Sequence, residues 1–548
     1  MPFLRPILLY LPLLLSLSKT CFAQDKNPTR AIESYLDLVF TPAEQDSFQS
    51  NLEDYRKYYQ AIHRYALPNP TAPTLLFNPL PENFILPTKQ DNINWGLPKK
   101  ITRPKNIEDL AFSPVYELAT LIRTRQITSL ELTQLYLNRL KKYGDTLQCV
   151  ITLLEENALT QARKADLEID GGNYKGPLHG IPFGIKDLLA VKGTKTTWGA
   201  GPYQNQVIDE TATVVTKLEE AGAILLAKLT LGALASGDIW YGGRTRNPWD
   251  LSQGSSGSSA GSSAATAAGL VAFSLGTETW GSIVSPSTRC GATGLRPTYG
   301  AVSRMGAMTL SWSMDKIGPI CRSALDCALV FDAIRGPDGK DKTVVSVPFN
   351  YKAHQDLKKL KVGYVASYFK NDYPNRKQDS ISLEVFKKAG IDLHPISLPD
   401  SLPIRALSIM LSAEAAAAFD ELTRSDRDSL LVNQRKNAWP TRFRSARFIP
   451  AVEYINASRI RKDLIEQFDK CIKGYDIVIT PSYGGEQLLM TNLTGHPCLV
   501  VPNGFNEKGN PVSLTFLGQL HGEASLITIG RFFQEKTDWE NRHPPLFK

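Results

Sequence analysis

Residues 252–286 read SQGSSGSSAGSSAATAAGLVAFSLGTETWGSIVSP. By composition alone, Ser252 to Ser263 is a flexible linker. The residues after it contradict that, because the run passes without a break into small residues at close-packing spacing, an apolar strand, and a second Gly/Ser turn ending at Ser282. A linker would lead to a boundary rather than to core. Small residues in this arrangement let two backbone turns approach each other and a substrate closely, with hydroxyl and amide groups facing the gap. Taken alone, the texture fits catalysis and a merely tight turn equally.

On either side of this run, short apolar segments alternate with helical stretches such as Ala212 to Glu220. The segments are Gly180 to Ile185, Ala223 to Leu226, Val271 to Leu275, Lys361 to Tyr364, Asp476 to Thr480 and Cys498 to Val501. The alternation predicts an α/β domain whose sheet draws on most of the chain. Its start is set near Ile107, with a helix beginning at the capping box Thr128-Ser129-Leu130-Glu131. The expected division is a signal peptide over 1–23, a helical and proline-rich extension over 24–106, and one domain over 107–548. The extension is amphipathic from Asp25 to about Tyr65, then holds eight prolines between Leu67 and Lys105, which reads as an extended wrapping arm.

Arg5, the apolar run Ile7 to Leu17 and the small-residue end at Ala23 form the three-part pattern of a cleaved export signal. The run is about half the roughly twenty residues a spanning helix needs. The expectation is a secreted or periplasmic protein without stable membrane insertion, with lipidation at Cys21 as the rival outcome. The remaining cysteines (Cys149, Cys290, Cys321, Cys327, Cys471 and Cys498) are scattered and lack C-x-x-C spacing. They read as buried small hydrophobes, although export leaves a disulfide open.

The 62 basic and 54 acidic residues give a net charge of +8 with one locally basic stretch, Arg435 to Arg447, which argues against a nucleic-acid partner. H-E-x-x-H and Walker motifs are absent. His179 and His496 sit in Gly/Pro turns, where a structural histidine is the commoner outcome. If Ser282 is a nucleophile, its base is therefore expected not to be histidine.

Several further motifs occur in order around the serine-rich run. They are GPLHGIPFGIKDL (176–188), NPWD (247–250), GLRPTYGAVSR (294–304), DKIGP (315–319), YDIVITPS (475–482) and TGHPCLVVPNG (494–504). With SGSSAGSS and LGTETWGSIVSP, the chain resembles the amidase signature family over roughly residues 107 to 535. The resemblance implies a twisted mixed sheet covered by helices on both faces. It places the family's lysine on Lys186, its bridging serine, held by a cis peptide bond, on Ser258, and its nucleophile on Ser282. It also implies an oxyanion hole from the backbone N–H groups of Thr279, Trp280 and Gly281, support from Ser259 and Thr277, and no metal or organic cofactor.

A serine needs a base to take its proton, and a lysine serves only when neutral, so Lys186 must be held below its ordinary pKa of about 10.4. The bland alternative is a solvated lysine or one paired with Asp187. Departures from the family pattern are Trp280 where the first of two glycines is usual, Val284 for the common arginine, and Glu278 for the usual aspartate. Trp280 either walls an acyl pocket or points into the core. Glu278 and Val284 resemble the peptide-amidase branch more than the tRNA-dependent amidotransferase branch. The variable stretch 400–460, with Trp439 and Phe443, is a candidate substrate channel or a solvated basic helix. Asn456 and Asn492 match glycosylation acceptors, relevant only in a glycosylating host.

The expected activity is hydrolysis of a small-molecule or peptide amide through an acyl-serine intermediate. The alternatives are a non-catalytic amide or peptide binder and an amidotransferase-like subunit. The sequence leaves the oligomeric state open.

Overall fold

The computed structural model describes residues 28–36, 38–64, 68–71 and 73–548; the signal-peptide reading of 1–23 lies outside them. The chain divides into two compact units at Pro68/Asn69. The first holds the helices Pro28–Tyr35 and Pro42–His63, where Gln45 donates to both carboxylate oxygens of Glu33 at 2.9 Å. Most of the proline-rich arm belongs to the second unit, where Asn94 bridges to Lys352. Among the described residues no helix is long and apolar enough to cross a membrane.

The second unit is built on one mixed sheet flanked by helices, as expected. Its strands are β1 (Val150–Leu153), β2 (Pro182–Lys186), β3 (Ile224–Leu229), β4 (Phe273–Glu278), β5 (Thr293–Arg296) and β6 (Lys316–Cys321). β7 (Val362–Val365), β8 (Leu393–Ile396), β9 (Ile477–Pro481), β10 (Cys498–Phe505) and β11 (Pro511–Gly518) complete it. Their order across the sheet is β1-β3-β2-β4-β6-β5-β10-β11-β9-β7-β8. β2 runs parallel to β3 and β4, whereas β6 runs antiparallel to β4. Each of the six apolar segments read from the sequence overlaps a strand, five of them starting one or two residues before it. β2, β3 and β4 are buried throughout, as their near-continuous apolar sequence requires of central strands.

The helix Ser129–Leu147 starts at the expected capping box, in which the Thr128 side chain accepts from Glu131 N–H and the Glu131 carboxylate accepts from Thr128 N–H. The serine-rich run is ordered core: Asp250–Gly254 is a short strand, and Ala260–Ala267 is a helix of small, fully buried residues packed against β4. The cysteines at 149, 290, 321, 327, 471 and 498 are all free thiols, and all but Cys471 are buried.

Candidate active site

The central parallel strands end together, and the site forms at that end. Lys186 is the last residue of β2, and Thr277 lies on neighbouring β4. Ser258 and Ser259 enter from the loop before helix Ala260–Ala267. The peptide bond between Gly257 and Ser258 is cis. Glycine is required at 257 because a Cβ there would fall 1.9 Å from the Gly237 carbonyl oxygen.

Lys186 Nζ is fully buried and lies 2.8 Å from Ser258 Oγ, 2.8 Å from Thr277 Oγ1, 3.2 Å from Ser259 Oγ and 3.4 Å from the Thr277 carbonyl. Its partners are hydroxyl and carbonyl oxygens. Asp187, the carboxylate next to it in sequence, turns away to pair with Lys228 at 2.8 Å and to accept from Thr197. Burial therefore dominates, and against the more distant charges of Asp315 and Glu278 it pushes the Lys186 ammonium down to about 7. At neutral pH a large share of the lysine is free amine.

The two adjacent serines differ. The Ser259 hydroxyl is pinned: it accepts from the Thr277 N–H and donates to the Thr277 carbonyl, both at 3.1 Å. The Ser258 hydroxyl, 1 % exposed, has Lys186 as its hydrogen-bond partner. Of the two, Ser258 is free to exchange a proton.

Ser282 is half-buried in the turn that leads into helix Val284–Cys290, and its carbonyl accepts from Ser259 N–H at 3.2 Å. The structure thus joins it to the lysine cluster through backbone, and no hydrogen bond links its hydroxyl to that of Ser258. Gly281, at φ +86°, lets the turn reverse. The N–H groups of the expected donors Thr279, Trp280 and Gly281, and that of Ser282, have no acceptor among the described residues, the condition for donors kept for a developing oxyanion.

Sequence reasoning missed what holds this turn. The Glu278 carboxylate accepts from Ile283 and Val284 N–H at 2.9 and 3.0 Å, from Arg296 at 2.7 Å and from Asn492 at 2.8 Å. Burial would raise its pKa, but Arg296 and the hydrogen bonds prevail and hold it at about 2. Thr279 Oγ1 donates to Asp315 at 2.6 Å, and Asp315 also accepts from Leu310 and Ser311 N–H. Both acids lie in the ordered motifs, but only the fold brings Arg296 and Asn492 to Glu278.

Other expectations change. Asn492 is buried with its amide on Glu278, so the glycosylation reading fails there. Trp439 and Phe443 are core residues stacked at 4.9 Å, not walls of a channel, and Arg444 and Arg447 are paired with Asp428 and Asp420. The Trp280 ring is half-exposed, with the Arg405 guanidinium 4.9 Å above it. His179 lies against Glu168 and Lys175, and His496 bonds Thr494 and is pushed down to about 3 by burial.

The family model described as Amidase matches residues 131–490. The chain belongs to the amidase family. It is 34 % identical over 478 residues to the A subunit of glutamyl-tRNA(Gln) amidotransferase from Marinomonas sp. (strain MWYL1), covering 79 % of this chain and 98 % of that relative. Among solved structures, native peptide amidase from Stenotrophomonas maltophilia superposes with a TM-score of 0.71 at 28 % identity, covering 80 % of this chain and all of that one. An amidase family protein from Bacillus anthracis str. Ames gives a TM-score of 0.71 at 27 % identity, covering 80 % and 93 %. Amide hydrolysis is the chemistry to which the amidase family assigns this chain, and its relatives fall on both the hydrolase and the amidotransferase sides.

Proposed function

We propose that this chain is an exported amidohydrolase that cleaves a carboxamide through an acyl-serine intermediate, with Ser282 as nucleophile, Ser258 as proton relay and Lys186 as base. The observation that carries the reading is Lys186: a fully buried lysine with hydroxyl and carbonyl partners, held near neutrality. Ser282 Oγ attacks the amide carbon while its proton passes through Ser258 to the Lys186 amine. The carbonyl oxygen becomes an oxyanion facing the free N–H groups of the Trp280–Ser282 turn. The C–N bond breaks as the lysine-held proton returns through Ser258 to the departing nitrogen. Water then adds to the ester by the same relay, releasing the carboxylic acid and restoring the serine.

Export rests on the pattern of residues 1–23 and is tested by N-terminal sequencing of protein recovered from the expressing host. Glu278 and Val284 favour a peptide-amidase-like substrate. The 34 % identity to an amidotransferase component favours a second reading, in which ammonia passes to a partner's substrate.

The discriminating experiment is ammonia release from peptide amides, aryl amides and fatty amides by the isolated mature chain, beside Ser282→Ala and Lys186→Ala. Turnover without a partner, lost in both variants, supports the hydrolase. Turnover that requires an added partner supports the second reading, and undiminished turnover in Ser282→Ala rejects the nucleophile.

A further inference from the structure

The second unit holds a solvent-open pocket of about 370 Å³, at the small end of the roughly 300–1,000 Å³ of ligand sites. Its polar lining includes Thr277 at the end of β4, which binds Lys186, Thr279 of the following turn, and Asp315 and the buried Lys316 at the start of β6, with Arg304, Lys340, Asp341 and Lys342 on another side. Its roof is apolar and comes from the proline-rich arm, through Pro70, Pro73, Leu75, Leu76 and Phe77. This arm lies outside the residues 131–490 that the family model matches.

The arm is pinned on both sides of the cavity. At one end the Asn69 side chain donates to the Thr309 carbonyl at 2.9 Å and accepts from the Thr309 N–H at 2.8 Å. At the other, the Phe77 ring packs on edge against Tyr299 at 5.0 Å, with the Arg461 guanidinium 3.4 Å from its centre. Between the two anchors, Leu75 and Leu76 are 84 % and 51 % exposed although they line the cavity. Two leucines kept in water at the edge of a partly apolar pocket are an unfavourable arrangement that an apolar ligand relieves.

We propose that the strap residues Pro70 and Pro73 to Phe77 form the outer wall of the acyl-group pocket, and that Leu75 and Leu76 select amides whose acyl group is uncharged, apolar and of modest size. This rests on the amidohydrolase reading. The acyl group is the part assigned to the cavity because it stays attached to Ser282 after the amine departs, and a roofed pocket beside Thr277 and Thr279 retains it.

The test compares the primary amides acetamide, butanamide, hexanamide and phenylacetamide in the mature chain and in a Leu75→Ser/Leu76→Ser double variant. Both side chains are largely solvated, so the substitutions remove little folded-state packing. The expected result is kcat/KM rising with acyl size in the parent and a phenylacetamide-to-acetamide ratio about tenfold smaller in the variant. An unchanged ratio overturns the proposal, as does an equal loss on every amide. Calorimetry of phenylacetamide binding to Ser282→Ala, with and without the strap substitutions, reads the pocket independently of turnover. Binding weakened by the strap substitutions supports the strap even if the parent turns over no amide and the amidohydrolase reading fails; equal binding, or none to either protein, overturns it.

Discussion

Lys186 and Asp187 are adjacent in sequence, yet the carboxylate pairs with Lys228 at 2.8 Å while the ammonium nitrogen sits among Ser258, Ser259 and Thr277. Successive residues at a strand end point to opposite sides, and here that alternation separates a structural ion pair from an unpaired base.

The unpaired base gives a signed pH dependence. In the proposed mechanism neutral Lys186 is the reactive form, so kcat/KM for amide hydrolysis should rise with pH through a midpoint near 7 and level off above it. Stability should move the same way. The unfolded lysine keeps its proton to about 10.5 while the folded one releases it near 7, so between those values the unfolded chain binds more protons and stability climbs with pH. The climb is on the order of 4 kcal/mol. Lys228 and Lys316 are pushed down by burial as well, so denaturant melts from pH 7 to 10 should show a climb in both proteins, smaller in Lys186→Met by about that amount.

Glu278 carries the opposite sign. Its folded pKa near 2 lies below the ordinary 4.5, so its contribution is complete above about 4.5 and is lost as pH falls toward 2. The amount is on the order of 3 kcal/mol. Glu278→Gln should melt less steeply with acid over that window. At pH 7 it should be destabilised by about 3 to 5 kcal/mol, because Arg296 is left as an uncompensated buried charge.

The Asp187–Lys228 pair is buried on both sides. Asp187→Ala should cost about 3 to 5 kcal/mol by stranding the Lys228 charge, and adding Lys228→Met should recover part of that loss. A thermal-melt double-mutant cycle checks it; additive losses would show that the two charges do not depend on each other.

In the proposed mechanism Trp280 contributes a backbone donor that any residue except proline supplies. Trp280→Ala should therefore lower kcat by less than about tenfold, whereas removing a donor outright costs about a hundredfold or more. Loss of the Arg405 contact should cost about 0.5 to 1 kcal/mol of stability. Steady-state kinetics and melts on the same preparation separate the two effects.

The strands and the capping box at Thr128 were legible because they are local: an apolar run or a cap shows in consecutive residues. The serine-rich run became legible through the core segment after it, since composition alone names a linker. Residues that act across long separations were not legible. Asn492 reaches Glu278 over 214 positions and reads locally as a glycosylation motif, and Trp439 reaches the Leu234 carbonyl over 205. Nor does any local signal say that an arm near residue 75 roofs a cavity floored by Thr277.

The proposed chemistry stands or falls on Ser282 being a nucleophile activated by Lys186. A fluorophosphonate probe is transferred to an activated serine oxygen with loss of fluoride, and peptide mapping by mass spectrometry locates the adduct. The adduct should fall on Ser282 in the parent and be absent from both Ser282→Ala and Lys186→Ala. An adduct on another serine, or labelling of Ser282 that persists at full rate without Lys186, would contradict that assignment.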